Sequence, residues 1–242
     1  MASAGIGSRV EGVHAVEAAL RAGRVKKLFV EQGRAQRLPQ IIRLAEERSV
    51  NVVLVEDVRS KAETSAPQGL VAECRPISTM SLTELVGSIA HPQSILVLDH
   101  LQDSHNVGAV ARSAVAAGIG GLVVSGVRSA PMGGAVFKAA SGALEHITVS
   151  MISSTADAVA RLKKLGIWTV GLTADAATSL FDLGVLTEPV AVVIGAEGEG
   201  LGRLVADRVD VQASIPMADI SESLNASVAG ALAAFEIRRS RN

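Results

Sequence analysis

Two stretches of the chain hold the residue types and spacings from which a reaction could be built. The first is Val190-Ala-Val-Val-Ile-Gly-Ala-Glu-Gly-Glu-Gly-Leu201. An apolar, β-branched run that stops at a glycine-rich turn reads as a buried strand entering a loop. The second runs Ile215-Pro-Met217 and then Ser223-Leu-Asn-Ala-Ser-Val-Ala229: a strand that ends at a proline, and a Ser/Asn-rich loop that opens a helix. Strand ends are where open α/β sheets bind ligands. Gly195, Gly198 and Gly200 give G-x-x-G-x-G, which is neither the dinucleotide turn G-x-G-x-x-G nor a Walker loop, since no Lys-Ser/Thr follows. Glu197 and Glu199 put negative charge where a pyrophosphate would lie, which argues against a polyphosphate ligand. By themselves the glycines suit a ligand loop and a structural loop equally well.

The segments 194–201 and 215–229 resemble two of the three signature motifs of the SpoU-type RNA ribose 2′-O-methyltransferases, of the knotted SPOUT class. The third is matched upstream by Asn106-Val-Gly-Ala-Val-Ala-Arg112. The resemblance extends to Gly12-Val-His-Ala-Val16, Gln68-Gly-Leu-Val-Ala72 and Ser141-Gly-Ala143 with Glu145. It implies a parallel-sheet C-terminal domain with a deep trefoil knot, and a small N-terminal α/β domain that binds the RNA substrate. Only the resemblance proposes the knot, since chain patterns never would.

The elements that must position these motifs alternate along the chain. The first part reads α-β-α-β, with Val13, Val16, Ala19 and Leu20 on one helical face and strands over 27–30, 50–55 and 69–72. Residues 77–93 are Ser/Thr-rich and are expected to link two domains, 1–76 and 94–242. The second part alternates strands at 95–98, 121–124, 147–149, 168–172, 190–194 and 209–215 with helices at 107–117, 132–140, 156–165, 201–206 and 226–239. Such alternation implies a parallel sheet covered on both faces.

Composition bounds the function classes. Of 242 residues 48% are hydrophobic, enough for two cores, and no apolar run approaches the length of a membrane span. The start lacks a basic and then apolar leader pattern, so a cytoplasmic protein is expected. Cys74 is the single cysteine, which excludes a disulfide framework. His100 and His105 lie near Asp99 and Asp103, but with no cysteine to join them no metal site is expected. Residues 1–76 hold 12 Lys and Arg against 9 Asp and Glu, and the remainder 11 against 15, a basic front and an acidic back. With four Phe, one Trp and no Tyr, base stacking on aromatic platforms has little material.

The resemblance then assigns roles. S-adenosylmethionine is the implied cofactor, held by Leu172, Gly195, Glu197, Gly200, Ile215, Met217 and Leu224. The implied catalytic group is Asn106, Arg112, Glu197, Ser223 and Asn225. Arg112 activates the ribose hydroxyl or, because guanidinium stays protonated, forks onto the neighbouring phosphate. Asn106 positions Arg112 or the ribose, or caps its helix; Ser223 and Asn225 face the substrate or simply start the last helix. His14, Arg21, Arg24, Lys26, Lys27 and Arg34 form the candidate RNA-backbone patch. The expected reaction is methylation of a ribose 2′-hydroxyl, most like that of the enzymes acting on guanosine in 23S ribosomal RNA, by a homodimer formed through the C-terminal domain; the small residues of 226–234 permit close helix approach. The rival readings are a transfer-RNA methyltransferase and a catalytically silent RNA-binding protein of the same fold. A nicotinamide oxidoreductase is remote without a G-x-G-x-x-G turn.

Overall fold

The structure, a computed structural model, describes residues 5–196, 198, 200–218 and 223–242. The chain begins with β1 (Arg9–Glu11), α1 (Val13–Arg21), β2 (Val25–Glu31), α2 (Gln32–Ala35), α3 (Pro39–Glu47), β3 (Asn51–Val55) and β4 (Leu70–Cys74). It continues with α4 (Leu82–Ser88), β5 (Ser94–Leu98), α5 (Ser104–Ala117), β6 (Gly121–Ser125), α6 (Gly134–Ala140) and β7 (Thr148–Ile152). Last come α7 (Thr155–Lys164), β8 (Trp168–Leu172), β9 (Val190–Ile194), α8 (Arg203–Arg208), β10 (Val211–Ala213) and α9 (Ala226–Ser240). The chain divides into two compact units, Met1–Thr79 with Pro131–His146, and Met80–Ala130 with Ile147–Asn242.

The first unit is built on a four-stranded sheet of order β1-β4-β2-β3, in which β2 and β3 are parallel and the other pairs antiparallel. Strand alternation sends Leu28, Val30, Leu70 and Ala72 to one buried face and Phe29 and Val71 to the other. α1 adds Ala15, Val16, Ala19 and Leu20. The ammonium of Lys27 sits 4.9 Å from the Phe29 ring centroid.

The segment 131–146 packs into this unit at points where only glycine fits. A Cβ on Gly7 would lie 2.2 Å from the Phe137 ring, and one on Gly142 2.5 Å from the Ala18 methyl. The Gly134 amide donates to the Glu63 carboxylate at 2.6 Å. Arg24 is a structural clamp here. Its Nε donates to Glu145 Oε2 at 2.7 Å, and its Nη1 donates to the carbonyls of Gly7 and Arg75. Its side chain is 11% exposed and that of Glu145 3%. Arg24 therefore leaves the RNA patch proposed from sequence, because its donors are already spent on protein acceptors. Burial, with opposing effects from Arg24 and Glu145, pushes the nearby Cys74 thiol up to about 11, so it stays protonated and inert.

The second unit is a six-stranded parallel sheet of order β10-β8-β9-β5-β6-β7. Every residue of β5, β6 and β9 is buried, which is why these strands read as unbroken apolar runs rather than alternating ones. On one face α7 and α8 pack with α4 against Ile95, Val97, Val123, Ala191 and Val193. On the other, α5 and α9 pack together closely, and a Cβ on Gly230 would lie 2.9 Å from Val110. The stretch expected to be a linker carries α4, whose Ser81 and Glu84 form a reciprocal capping box. Leu82, Leu85 and Val86 enter the core of the second unit. The Ser/Thr content that suggested a linker is in part this cap.

The chain does not lay its strands down in one direction. From β5 the chain builds outward through β6 to β7, then crosses back to β8, returns to place β9 between β8 and β5, and adds β10 outside β8. The switch point lies between β5 and β9, the usual place for a crevice in doubly wound sheets; a cavity lies beside it, at the ends of β8, β9 and β10. At the far end of the molecule's last helix, Arg241 donates to the carbonyls of Leu186, Pro92, Gln93 and Glu188, pinning α9 beside the starts of β5 and β9.

Arg24→Ala would leave Glu145 buried without its partner. The expected loss is about 3–5 kcal/mol, read as a lowered midpoint in urea unfolding; a change within about 0.5 kcal/mol would show that the pair does not hold the segment 131–146.

Candidate active site

The ends of β8, β9 and β10 lie side by side, with Leu172 opposite Ala213 and Gly171 opposite Val193. The chain leaving each strand, together with the start of α9, encloses a cavity of about 550 Å³. Its walls are mainly apolar, from Leu172, Ile194, Ile215, Met217, Leu224 and Ala226, with Thr173, Asp175 and Ser223 as polar members. Among the described residues that line it there is no Lys or Arg. Size and lining are those of a small-molecule site with a few orienting polar groups.

The glycine loop after β9 is both structural and part of this wall. The Gly200 amide donates to the Ala196 carbonyl at 2.9 Å, so the loop folds back on itself. A Cβ on Gly195 would lie 2.2 Å from the Gly200 carbonyl carbon and oxygen, and Gly198 and Gly200 have φ of 78° and 64°, a region that side chains disfavour. Where the loop ends, Leu201 packs over Gly171 and the Gly202 amide approaches Asp99 Oδ2 at 3.4 Å. The Asp99 amide donates to the Ile194 carbonyl at 2.9 Å, stitching β5 to β9 at the cavity floor.

Of the cofactor residues named from sequence, Leu172, Gly195, Gly200, Ile215, Met217 and Leu224 all line this cavity. Glu197 lies outside the described residues. Ser223 also lines it, and Asn225 is the N-cap of α9, accepting from the Ser227 amide at 2.8 Å. Asn106 and Arg112 are not among the described lining residues. α5 is capped by Asp103, which accepts from the His105 amide at 2.8 Å, so Asn106 is not the cap; it is buried within the first turn. Arg112 is exposed. Six residues separate the two by about 9 Å and about 120° around the helix, so they face different ways and Asn106 does not hold Arg112 on one surface.

The histidine–aspartate loop before α5 is committed to local structure. His100 Nδ1 lies 2.7 Å from the Val127 carbonyl and Nε2 3.6 Å from Asp99 Oδ1. Among the described residues no group of three His, Cys, Asp or Glu could hold a metal ion, and no helix is long and apolar enough to cross a membrane.

In the RNA patch proposed from sequence, His14, Arg21, Lys26 and Arg34 are exposed and Lys27 half-buried. Arg21 is paired with Glu17 at 2.6 Å, and Arg34 lies 3.9 Å from Glu31. Sequence reasoning missed Thr173 and Asp175 in the cavity wall. Their signal was position: they directly follow a strand whose neighbours end at the site.

Residues 93–235 match the SpoU rRNA methylase family, and residues 9–80 match the RNA 2′-O ribose methyltransferase substrate-binding family. A 23S rRNA (guanosine-2′-O-)-methyltransferase of Ralstonia nicotianae is 37% identical over 237 residues, covering 96% of this chain and 95% of the relative. A protein of Staphylococcus haemolyticus assigned to the TrmH family of tRNA/rRNA methyltransferases is 34% identical over 239 residues, with 96% of each chain covered. The fold is also that of the SpoU methyltransferase AviRb of Streptomyces viridochromogenes, solved with AdoMet, at a TM-score of 0.79 and 22% identity over 96% of this chain and 90% of that one.

Gly195→Ala is expected to force the loop away from Gly200 at a cost of about 1–3 kcal/mol, lowering ligand affinity roughly 5- to 150-fold. Calorimetric titration of the folded variant with S-adenosylmethionine checks this; unchanged affinity would show that the loop does not shape the site.

Proposed function

Because the chain belongs to the SpoU methylase family of RNA ribose 2′-O-methyltransferases, we propose that it methylates a guanosine 2′-hydroxyl in 23S ribosomal RNA, in the cytoplasm, with S-adenosylmethionine as donor. The observation that carries the reading is the cavity at the ends of β8, β9 and β10, walled by residues chosen from the family motifs. The residues present fit the cofactor. The apolar walls suit a nucleoside base, and the described charge in the wall, Asp175, is of the sign that tolerates a sulfonium and disfavours a polyphosphate. The hydroxyl of Thr173 is sealed from water with no hydrogen-bond partner among the described residues, an orphan of the kind a ligand satisfies. The reading carries with it the trefoil knot of the family fold.

When bound, S-adenosylmethionine supplies a methyl carbon made electrophilic by its positive sulfur. The work of the protein is then alignment, which by itself can account for several orders of magnitude in rate. Leu172, Ile194, Ile215 and Leu224 exclude water from the cavity. Ser223 and Asn225 stand where the last loop meets α9 and orient the ribose. Arg112, always protonated, serves as an anchor for the phosphate beside that ribose rather than as a base. The first unit, with its exposed His14, Arg21, Lys26 and Arg34, holds the RNA backbone, an electrostatic grip without sequence choice.

α9 supports a homodimer. Val228 is 45% and Phe235 48% exposed, seven residues apart with the partly buried Leu232 between them. An apolar stripe of this kind on one helix suits a two-fold contact in which each copy covers the other.

The transfer-RNA reading is kept by one observation, the mention of both tRNA and rRNA for the Staphylococcus relative. Unmodified transcripts of 23S ribosomal RNA and of transfer RNA, each incubated with protein and labelled cofactor, separate the two. Label is expected in the ribosomal transcript; label confined to transfer RNA would replace the substrate assignment.

Arg112→Ala is expected to lower turnover roughly 10²-fold or more while leaving cofactor affinity unchanged, and near-normal turnover would remove Arg112 from the site. Phe235→Glu is expected to convert a dimer into a monomer in sedimentation velocity. A wild-type protein that sediments as a monomer would refute the self-association of α9.

A further inference from the structure

One polar group in the wall of the cavity, Thr173, fits a ligand but has no assigned part of that ligand to meet. Thr173 follows β8 directly, and its amide donates to the Ala213 carbonyl at 3.0 Å, so its main chain is held between the ends of β8 and β10. The residue lines the cavity. Its hydroxyl nevertheless has no accessible surface and no hydrogen-bond partner among the described residues. A valine would fill the same volume without burying an unsatisfied donor and acceptor, which costs free energy wherever it occurs. The hydroxyl therefore contributes nothing to the fold that a methyl group would not.

With the backbone fixed, the freedom left to Thr173 is rotation about Cα–Cβ between staggered positions, and such a rotation takes the hydroxyl out of its sealed position. We propose that Thr173 reads the adenosyl part of the cofactor, its hydroxyl turning into the cavity when the ligand binds and hydrogen-bonding the nucleoside. This rests on the S-adenosylmethionine reading given above.

The nucleoside is preferred to the amino-acid end on chemical grounds. A free ammonium and carboxylate are met by opposite charges or by several donors and acceptors together. Thr173 offers one neutral hydroxyl to a cavity whose described carboxylate, Asp175, is the group suited to an ammonium, and whose apolar members include Leu172, Ile194 and Ile215. That surrounding suits a planar, uncharged base with polar atoms along one edge, or a ribose hydroxyl. A hydroxyl can donate or accept, so either partner satisfies it.

The test is calorimetric titration of the wild-type chain, Thr173→Val and Thr173→Ser with three probes: S-adenosylmethionine, S-adenosylhomocysteine and 5′-methylthioadenosine, which keeps the adenosyl group and lacks the amino acid. Thr173→Val is expected to weaken all three by the same factor, roughly 3- to 10-fold for one hydrogen bond, and Thr173→Ser to restore them. Thermal unfolding without ligand supplies a second readout. The valine variant is expected to melt at the wild-type temperature or above it, because the orphaned hydroxyl is gone. Wild-type affinities in the valine variant would overturn the inference alone, as would weakening confined to the two probes with an amino acid. Failure of the wild-type chain to bind any probe would remove the cofactor reading and this inference with it.

Discussion

The site depends on the insertion of β9 between β5 and β8. Hydrogen bonding on both sides fixes where β9 ends, because Leu98 pairs with Ile194 on one side and Gly171 with Val193 on the other. Both faces of β9 are buried, so the strand is held by pairing on both edges and by packing on both faces. A strand held this firmly delivers the glycine loop to one place, beside the ends of β8 and β10. The cavity follows from strand order.

The glycine loop extends that constraint to the scale of single atoms. Its backbone approaches itself so closely at Gly195 and Gly200 that no side chain fits at Gly195. Its far end is tied back to β5 through Gly202 and Asp99. α9 is held on the same side of the sheet by close packing on α5 at Gly230 and by the four carbonyls that Arg241 bridges. A mainly apolar wall results, of the kind that surrounds a bound small molecule.

Much of this was legible in the sequence, for identifiable reasons. The runs at 95–98, 121–124 and 190–194 are apolar because their strands are central, and the reading of a covered parallel sheet follows from them. Gly195, Ile215 and Leu224 were placed at a ligand site because motif and strand end coincide. Other features depend on distant partners that no local pattern reveals. Arg24 reads as one more cation in a basic turn, yet Glu145, 121 positions away, takes its guanidinium out of play. Asn106 has the chemistry of a helix cap, but Asp103 is the cap, three residues earlier, and the helix begins before the expected boundary. Thr173 carries no motif; only its position after β8 and its lack of a partner single it out.

A methyl group added to ribose and one added to a base leave different nucleosides. The most direct measurement is digestion of enzyme-treated, unmodified 23S ribosomal RNA to nucleosides, followed by mass analysis of the methylated product. The expected product is 2′-O-methylguanosine, with the added mass on the sugar fragment. A methyl group on the base fragment, or no methylated nucleoside from a folded protein shown to bind S-adenosylmethionine, would contradict ribose methylation.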